Sequence, residues 1–280
     1  MIKCMQGVEF LMIIDTHIHA DGMCLNDFEA MVRHGIKKAI TCAYYPTVPR
    51  FQQTMSDLFN KLIHFDVERS KSMGLELFVA IGIHPRSIPV TGCNKVMKKI
   101  SDLIKNPSVV ALGEIGLEFG TQKEIKIFKR QVNLATEHQV PIIVHTPRKE
   151  KAKITKKIIK ILKKAEIDPE LVIIDHVSRE NIDLVKNEDF TIGFTIQWGK
   201  LTVEEGADLI LENPEKRIVI NTDSGFRKYD PTLLAKLVKT LEERNASRDL
   251  IEDVTHRNAE EIFFRETTKH YALEARLRRS

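Results

Sequence analysis

Met12-Ile13-Ile14-Asp15-Thr16-His17-Ile18-His19 is a short apolar, β-branched run that ends in two histidines. Its composition predicts a strand, and its ending separates two α/β architectures. A doubly wound open sheet would carry a Gly-rich phosphate-binding turn after its first strand. This chain carries Asp15-Thr16-His17-Ile18-His19 in that place. Working outward, similar runs recur and predict strands at Met12–Thr16, Ala39–Ala43, Leu77–Gly82, Val109–Glu114, Pro141–His145, Leu171–Asp175, Phe190–Thr195 and Arg217–Thr222. Helical periodicity lies between them, near Leu25–His34, Arg50–Gly74, Cys93–Asn106, Gln122–His138, Lys151–Ala165, Arg179–Lys186 and Thr202–Glu212, and again from Pro231 onward. Strand after strand, each followed by helix, predicts a closed α/β TIM barrel, (β/α)8, as a single domain.

At 280 residues and 42% hydrophobic, the chain can close one large core. No linker or low-complexity tract divides it, so residues 12–265 read as one barrel, with an N-terminal extension over 1–11 and a C-terminal tail over 266–280. The net charge of +4 comes from 43 basic and 39 acidic side chains with both signs interspersed. That describes a solvated surface better than a nucleic-acid glove, and it permits an anionic substrate without requiring one. Cys4, Cys24, Cys42 and Cys93 have no paired spacing and read as reduced thiols. The first residues lack a secretory pattern, and no run has the length of a membrane span. A cytoplasmic location without membrane attachment is therefore expected; the sequence sets no oligomeric state.

The chemistry sits where strands end. The first ends in His17 and His19, the fourth in Glu114, the fifth in His145, the sixth in His176 and the eighth in Asp223. In a parallel barrel these ends open on one face, where active sites are built. Residues two apart on a strand point the same way, so His17 and His19 aim at one point. A single histidine at a strand end is ordinarily a hydrogen-bonded loop residue. Of the ten histidines, however, His34, His64, His138, His256 and His270 fall on helices or in the tail. The other five, with His84 among them, gather at the predicted mouth beside two carboxylates. That grouping predicts a metal site.

Asp15-Thr16-His17-Ile18-His19, Gly113-Glu114-Ile115-Gly116-Leu117, Pro141-Ile142-Ile143-Val144-His145 and Thr222-Asp223-Ser224 resemble the TatD-like hydrolases of the amidohydrolase superfamily. Gly82-Ile83-His84-Pro85 fits the family's third-strand segment, and the similarity runs from Ile13 to Phe264, where Arg257-Asn258-Ala259 loosely echoes its closing segment. The resemblance implies a metal-dependent phosphoesterase, often a deoxyribonuclease, with two divalent ions in the barrel mouth. By it, His17, His19 and Asp223 match the first metal's ligands, Glu114 the bridging glutamate, and His145 and His176 the second metal's ligands. A bridging carboxylate offsets the repulsion of two dications and supports activation of a shared water. Asp223, beside the nucleophile, is then the expected proton acceptor, and Glu114 and Asp223 are the expected catalytic pair.

Four imidazoles with two carboxylates suit Zn, Mn, Co or Fe better than Mg or Ca. A single-metal deaminase would want a glutamate in the loop after the fifth strand, and His145-Thr146-Pro147-Arg148 offers none. The chain also departs from the family. Asn221 stands where Glu is common, Gly225 where Pro is common, and His176-Val177-Ser178-Arg179 replaces an aromatic-Ser-Gly run. These loops shape the pocket, so the substrate does not transfer with the scaffold. The expected substrate is an anionic small molecule or a nucleic-acid end, contacted by His84 and Arg148. Amide, lactone or ring hydrolysis is the alternative reaction, and a non-catalytic metal-retaining binding protein the alternative class. Lys149–Lys164 reads as an outer helix with a solvated basic face. Gln197 and Trp198 are expected either to line the pocket or to be buried beneath a loop. Glu118 is expected to serve its loop structurally.

Overall fold

The computed structural model describes residues 11–264. The expected tail over 266–280, with His270, lies outside the described residues, as does the expected extension apart from Leu11. Eight strands, β1 (Ile13–Ile18), β2 (Ile36–Cys42), β3 (Glu76–Ile81), β4 (Val109–Gly116), β5 (Ile142–His145), β6 (Val172–Ile174), β7 (Thr191–Thr195) and β8 (Ile218–Asn221), form one sheet in sequential order. Every pairing is parallel. The barrel closes where Asp223 N donates to His17 O at 2.8 Å and His19 N donates to Ser224 O at 2.6 Å. The seam therefore runs through the backbone of three candidate ligands. The architecture is the TIM barrel the strand pattern predicts.

The main helices are α1 (Leu25–Arg33), α2 (Gln52–Asn60), α3 (Val67–Lys71), α4 (Cys93–Leu103), α5 (Gln122–His138), α6 (Lys151–Lys164), α7 (Ile182–Val185), α8 (Val203–Leu211), α9 (Leu233–Glu243), α10 (Arg248–Glu252) and α11 (Asn258–Phe263). The helix expected over Arg50–Gly74 passes through a π-helical turn, Lys61–Asp66, between α2 and α3. Within it Asp66 is buried and accepts from Lys61 and Arg69, while Arg69 also holds the carbonyl of Met23 behind β1. The helix expected over Arg179–Lys186 shortens to α7, because Asn181 closes a turn by accepting from Ser178 N. As expected, α6 buries Ile154, Ile158, Ile161 and Leu162 beneath a lysine-rich outer face.

Two apolar layers result. Inside the barrel Ile14, Ile40, Ala80, Ala111, Ile143, Ile173 and Val219 meet, and Ala259, Ile262 and Phe263 of α11 pack against them. Outside, the remaining strand residues pack on the helices, with Phe128 of α5 fully buried. Phe128→Ala is expected to cost about 3–5 kcal/mol in chemical denaturation, by lost burial plus the cavity left behind. A loss under about 1 kcal/mol would show that this helix–strand layer collapses to fill the space.

Candidate metal centre

The barrel seam and the strand ends set the site. His17, His19, Glu114, His145 and His176 are all buried, and Asp223 is partly so. His176 and Asp223 each leave their strand in the left-handed region, at φ 57° and 47°. Such backbone costs roughly 1–3 kcal/mol in a residue other than glycine, and here it turns both side chains into one cavity. Lys151 and Thr146 hold the first of these turns, donating to His176 O at 2.7 and 3.3 Å.

Glu114 is the hub. Its Oε1 lies 2.5 Å from His145 Nδ1 and 2.9 Å from His176 Nε2. Its Oε2 faces His17 Nε2 at 3.6 Å and His84 Nε2 at 3.5 Å. Asp223 Oδ1 sits 3.0 Å from His19 Nε2 and 3.6 Å from His17 Nε2. Three groupings have donor atoms close enough to hold an ion: His17, His19 and Glu114; His17, His176 and Asp223; and His84, Glu114 and His145.

Hydrogen-bond partners assign the imidazole protons. His19 Nδ1 lies 2.9 Å from Cys42 O, which only accepts, and His17 Nδ1 lies 2.6 Å from the Asp175 carboxylate. Both rings therefore donate from Nδ1, which suits Nε2 to ligate. Backing a ligand histidine with a carboxylate or carbonyl is the usual arrangement at metal sites. His17 Nε2 is moreover buried with no hydrogen-bond partner, as a ligand atom would be. His84 is the reverse case. Its Nδ1 accepts from Arg86 N at 3.0 Å, so the neutral ring carries its proton on Nε2, which faces Glu114 Oε2 at 3.5 Å without a hydrogen bond. The donor set fits divalent ions that accept imidazole.

The charges follow from the same contacts: against the opposing effect of burial, Cys42, Glu114 and Asp175 raise the His17 imidazole, and Glu114 and Glu118 raise that of His145. Burial opposes the charge on Glu114, but the imidazoles of His145 and His17 outweigh it and hold the carboxyl well below its ordinary range. For Asp223 burial is likewise outweighed, first by Lys200 and then by His19 and His17. Burial, assisted by Lys200, pushes His176 down to about 4, which leaves that ring neutral.

The expected substrate-facing residues separate. His84 has no exposed surface; it lies behind Tyr44 and His145, with ring centroids 4.9 and 4.7 Å away, and belongs to the floor of the centre rather than to its opening. Arg148 does line the cavity above the centre, a space of about 390 Å³. Gln197 is buried and donates to Asp223 O at 2.7 Å, whereas Trp198 is 82% exposed and neither lines this cavity nor is buried under its loop. Glu118 does more than serve its loop, because its Oε2 lies 2.8 Å from His145 Nε2.

Sequence reasoning missed two residues here. Asp175 backs His17 and is itself bonded by Asn221 at 2.8 Å; its position directly before His176 was the available signal. Lys200 pairs with Asp223 Oδ2 and also touches His176. Nothing in its loop announces that.

Loading with zinc or manganese is expected to place up to two ions per chain and to raise the melting temperature, since the ions bind the folded site. Elemental analysis that finds no metal after loading would remove the metal assignment.

The profile of the family described as TatD related DNase matches residues 14–264. An uncharacterized metal-dependent hydrolase of Methanocaldococcus jannaschii is 37% identical over 219 residues, 78% of this chain and 86% of that protein. The TatD-like protein of Archaeoglobus fulgidus superposes with a TM-score of 0.77 at 32% identity, covering 89% of this chain and 99% of that one. The phosphotriesterase homology protein of Escherichia coli, crystallised with phosphate in its active site, superposes with a TM-score of 0.68 at 14% identity, covering 91% and 100%. That last likeness is one of fold alone.

Proposed function

The chain belongs to the TatD related DNase family and is a metal-dependent hydrolase of that type, and from that premise we propose that it cleaves phosphoester bonds at a two-metal centre bridged by Glu114. The observation that carries this reading is the division of the Glu114 carboxylate, with Oε1 turned to His145 and His176 and Oε2 turned to His17. One oxygen for each set of imidazoles is what a bridging carboxylate requires. His17, His19 and Asp223 would hold one ion, and His145 and His176 the other. When bound, divalent ions supply Lewis-acid polarisation of a phosphoryl oxygen and lower the pKa of water.

The chain's own groups do the rest. Asp223 Oδ1 is the atom placed to take the proton of the attacking water. Lys200, on Oδ2 of the same carboxylate, keeps Asp223 anionic. The Nε2–H of His84 faces Glu114 Oε2 from below at 3.5 Å, and the Glu118 carboxylate fixes the His145 ring. Arg148, at the mouth, presents a cationic planar fork where an anionic substrate would enter.

The test is a substrate panel with manganese or zinc present. It comprises bis(p-nitrophenyl) phosphate, p-nitrophenyl phosphate, a single-stranded oligodeoxynucleotide, a lactone and an amide. Turnover of at least one phosphoester, competitively inhibited by inorganic phosphate, is expected. Turnover of the lactone or the amide with every phosphoester untouched would replace this reading with the other hydrolytic chemistry of the superfamily.

A further inference from the structure

We propose that Arg148 and Arg227 form a second anion subsite in the barrel mouth, one that takes a further phosphate group carried by the substrate beside the scissile one. The proposal rests on the phosphoester reading above and extends it from a bond type to a substrate class, compounds with two neighbouring phosphates.

The argument begins with charge pairing. Five cationic side chains line the cavity: Arg86, Arg148, Lys151, Lys200 and Arg227. Three are engaged. Lys200 pairs with Asp223, Lys151 donates to His176 O at 2.7 Å, and Arg86 lies 3.9 Å from Glu118. Arg148 and Arg227 have neither an ion pair nor a side-chain hydrogen bond among the described residues. The acids of the cavity are not free to serve them. Glu114 and Glu118 are taken by imidazoles, Asp223 by Lys200 and His19, and Glu180 acts on Lys151. The arginines also feel each other: burial first, and then the charge of Arg227, push the Arg148 guanidinium below its ordinary value. Asp223 and Glu118 offset part of that effect on Arg148 without pairing with it, and a bound polyanion would relieve the rest.

Position supplies the second strand of the argument. Arg148 follows His145 by three residues on the loop after β5, and Arg227 follows Asp223 by four on the loop after β8. The two guanidinium groups thus reach one cavity on separate loops, one leaving the candidate ligand His145 and the other leaving Asp223. The second loop depends on Gly225, whose φ of 146° no proline can adopt and where a Cβ would collide with the His19 carbonyl. This turn packs Phe226 against His19 and Tyr44, at ring distances of 5.7 and 5.6 Å, and carries Arg227 to the mouth. The turn at Gly225 therefore sets where Arg227 stands.

Two paired forks suit a phosphate, which presents several oxygens to bidentate donors. The second phosphate can belong to a nucleotide strand or to a small bisphosphate, and the experiment separates these sources. Calorimetric binding to the zinc-loaded protein compares thymidine 3′,5′-bisphosphate with the two thymidine monophosphates, and fructose 1,6-bisphosphate with fructose 6-phosphate. Wild type is expected to prefer a bisphosphate by about tenfold or more, as befits added charge-assisted contacts. Arg227→Ala should bring that ratio close to one, and Arg227→Lys should restore part of it, because the charge returns without the fork. Arg33→Ala, which breaks an exposed pair with Glu29 on α1, none of whose residues line the cavity, should keep the full ratio. A preference confined to the thymidine series assigns the subsite to nucleotides, and one seen in both series assigns it to bisphosphates at large. Equal affinities in wild type, or a preference that survives Arg227→Ala, would overturn the subsite. If the preference holds while no phosphoester is hydrolysed, the subsite stands and the reaction assignment falls; the converse pair of results removes the subsite alone.

Discussion

Glu114→Ala is expected to lower turnover on the best substrate on the order of 10³-fold or more, because a metal's charge stabilisation is worth several kcal/mol and each 1.4 kcal/mol is tenfold. The expectation follows from where the two carboxylate oxygens stand. One serves His145 and His176, the other faces His17 and His84, so no single neighbour can replace both. Without the carboxylate, two dications would lack the anion between them, and at least one should be lost from the purified protein. Glu114→Gln separates charge from shape, since the amide fills the same buried space. It should fold, bind less metal and stay nearly inactive. His138→Ala, at the end of α5 and hydrogen-bonded to Ser101, should keep wild-type rates. Wild-type turnover in Glu114→Ala would end the bridged two-metal account.

The barrel was legible because its strands are buried on both faces. Runs such as Pro141–His145 and Leu171–Asp175 stay apolar without alternation, and residues that break such a run are conspicuous. His145 and Glu114 therefore announce themselves at strand ends. Loops obey no such period. Lys200 reaches Asp223 only because the turn after β7 folds back over the mouth, and no spacing predicts that contact. Gln197 and Trp198 are neighbours with opposite fates, one buried against Asp223 O and the other 82% exposed, and their sequence context does not separate them.

His84 illustrates a different limit. Its place at the third strand end was readable, and it does face the centre. Its role turns on which ring nitrogen carries the proton, and a backbone amide two residues later decides that. Likewise, Gly225 was visible as a departure from the family pattern. Only the turn it permits shows that Arg227 is brought into the cavity. Sequence locates such residues, while tautomer and loop direction assign their work.

Asp223→Asn should reduce kcat by about 10²–10⁴-fold, the range for a positioned acid or base. Its Oδ1 lies 3.0 Å from His19 Nε2 and its Oδ2 is held by Lys200. The amide keeps the volume and one ligating oxygen, so metal content should fall less than in Glu114→Ala. It does not keep the capacity to take a proton. Lys200 makes the case demanding, since a carboxylate held well below its ordinary range by an ammonium is a weak base. Asp223 can therefore take the proton only as that pairing loosens, for example when Lys200 turns to an incoming anion. Two roles can then be told apart by adding metal. If Asp223 were a ligand alone, excess zinc or manganese would refill the site of Asp223→Asn and restore turnover in proportion to occupancy. If it takes the proton, occupancy should return and kcat should not. Metal content and kcat measured on the same preparations decide the matter, and recovery of both together would leave Asp223 as a ligand and nothing more.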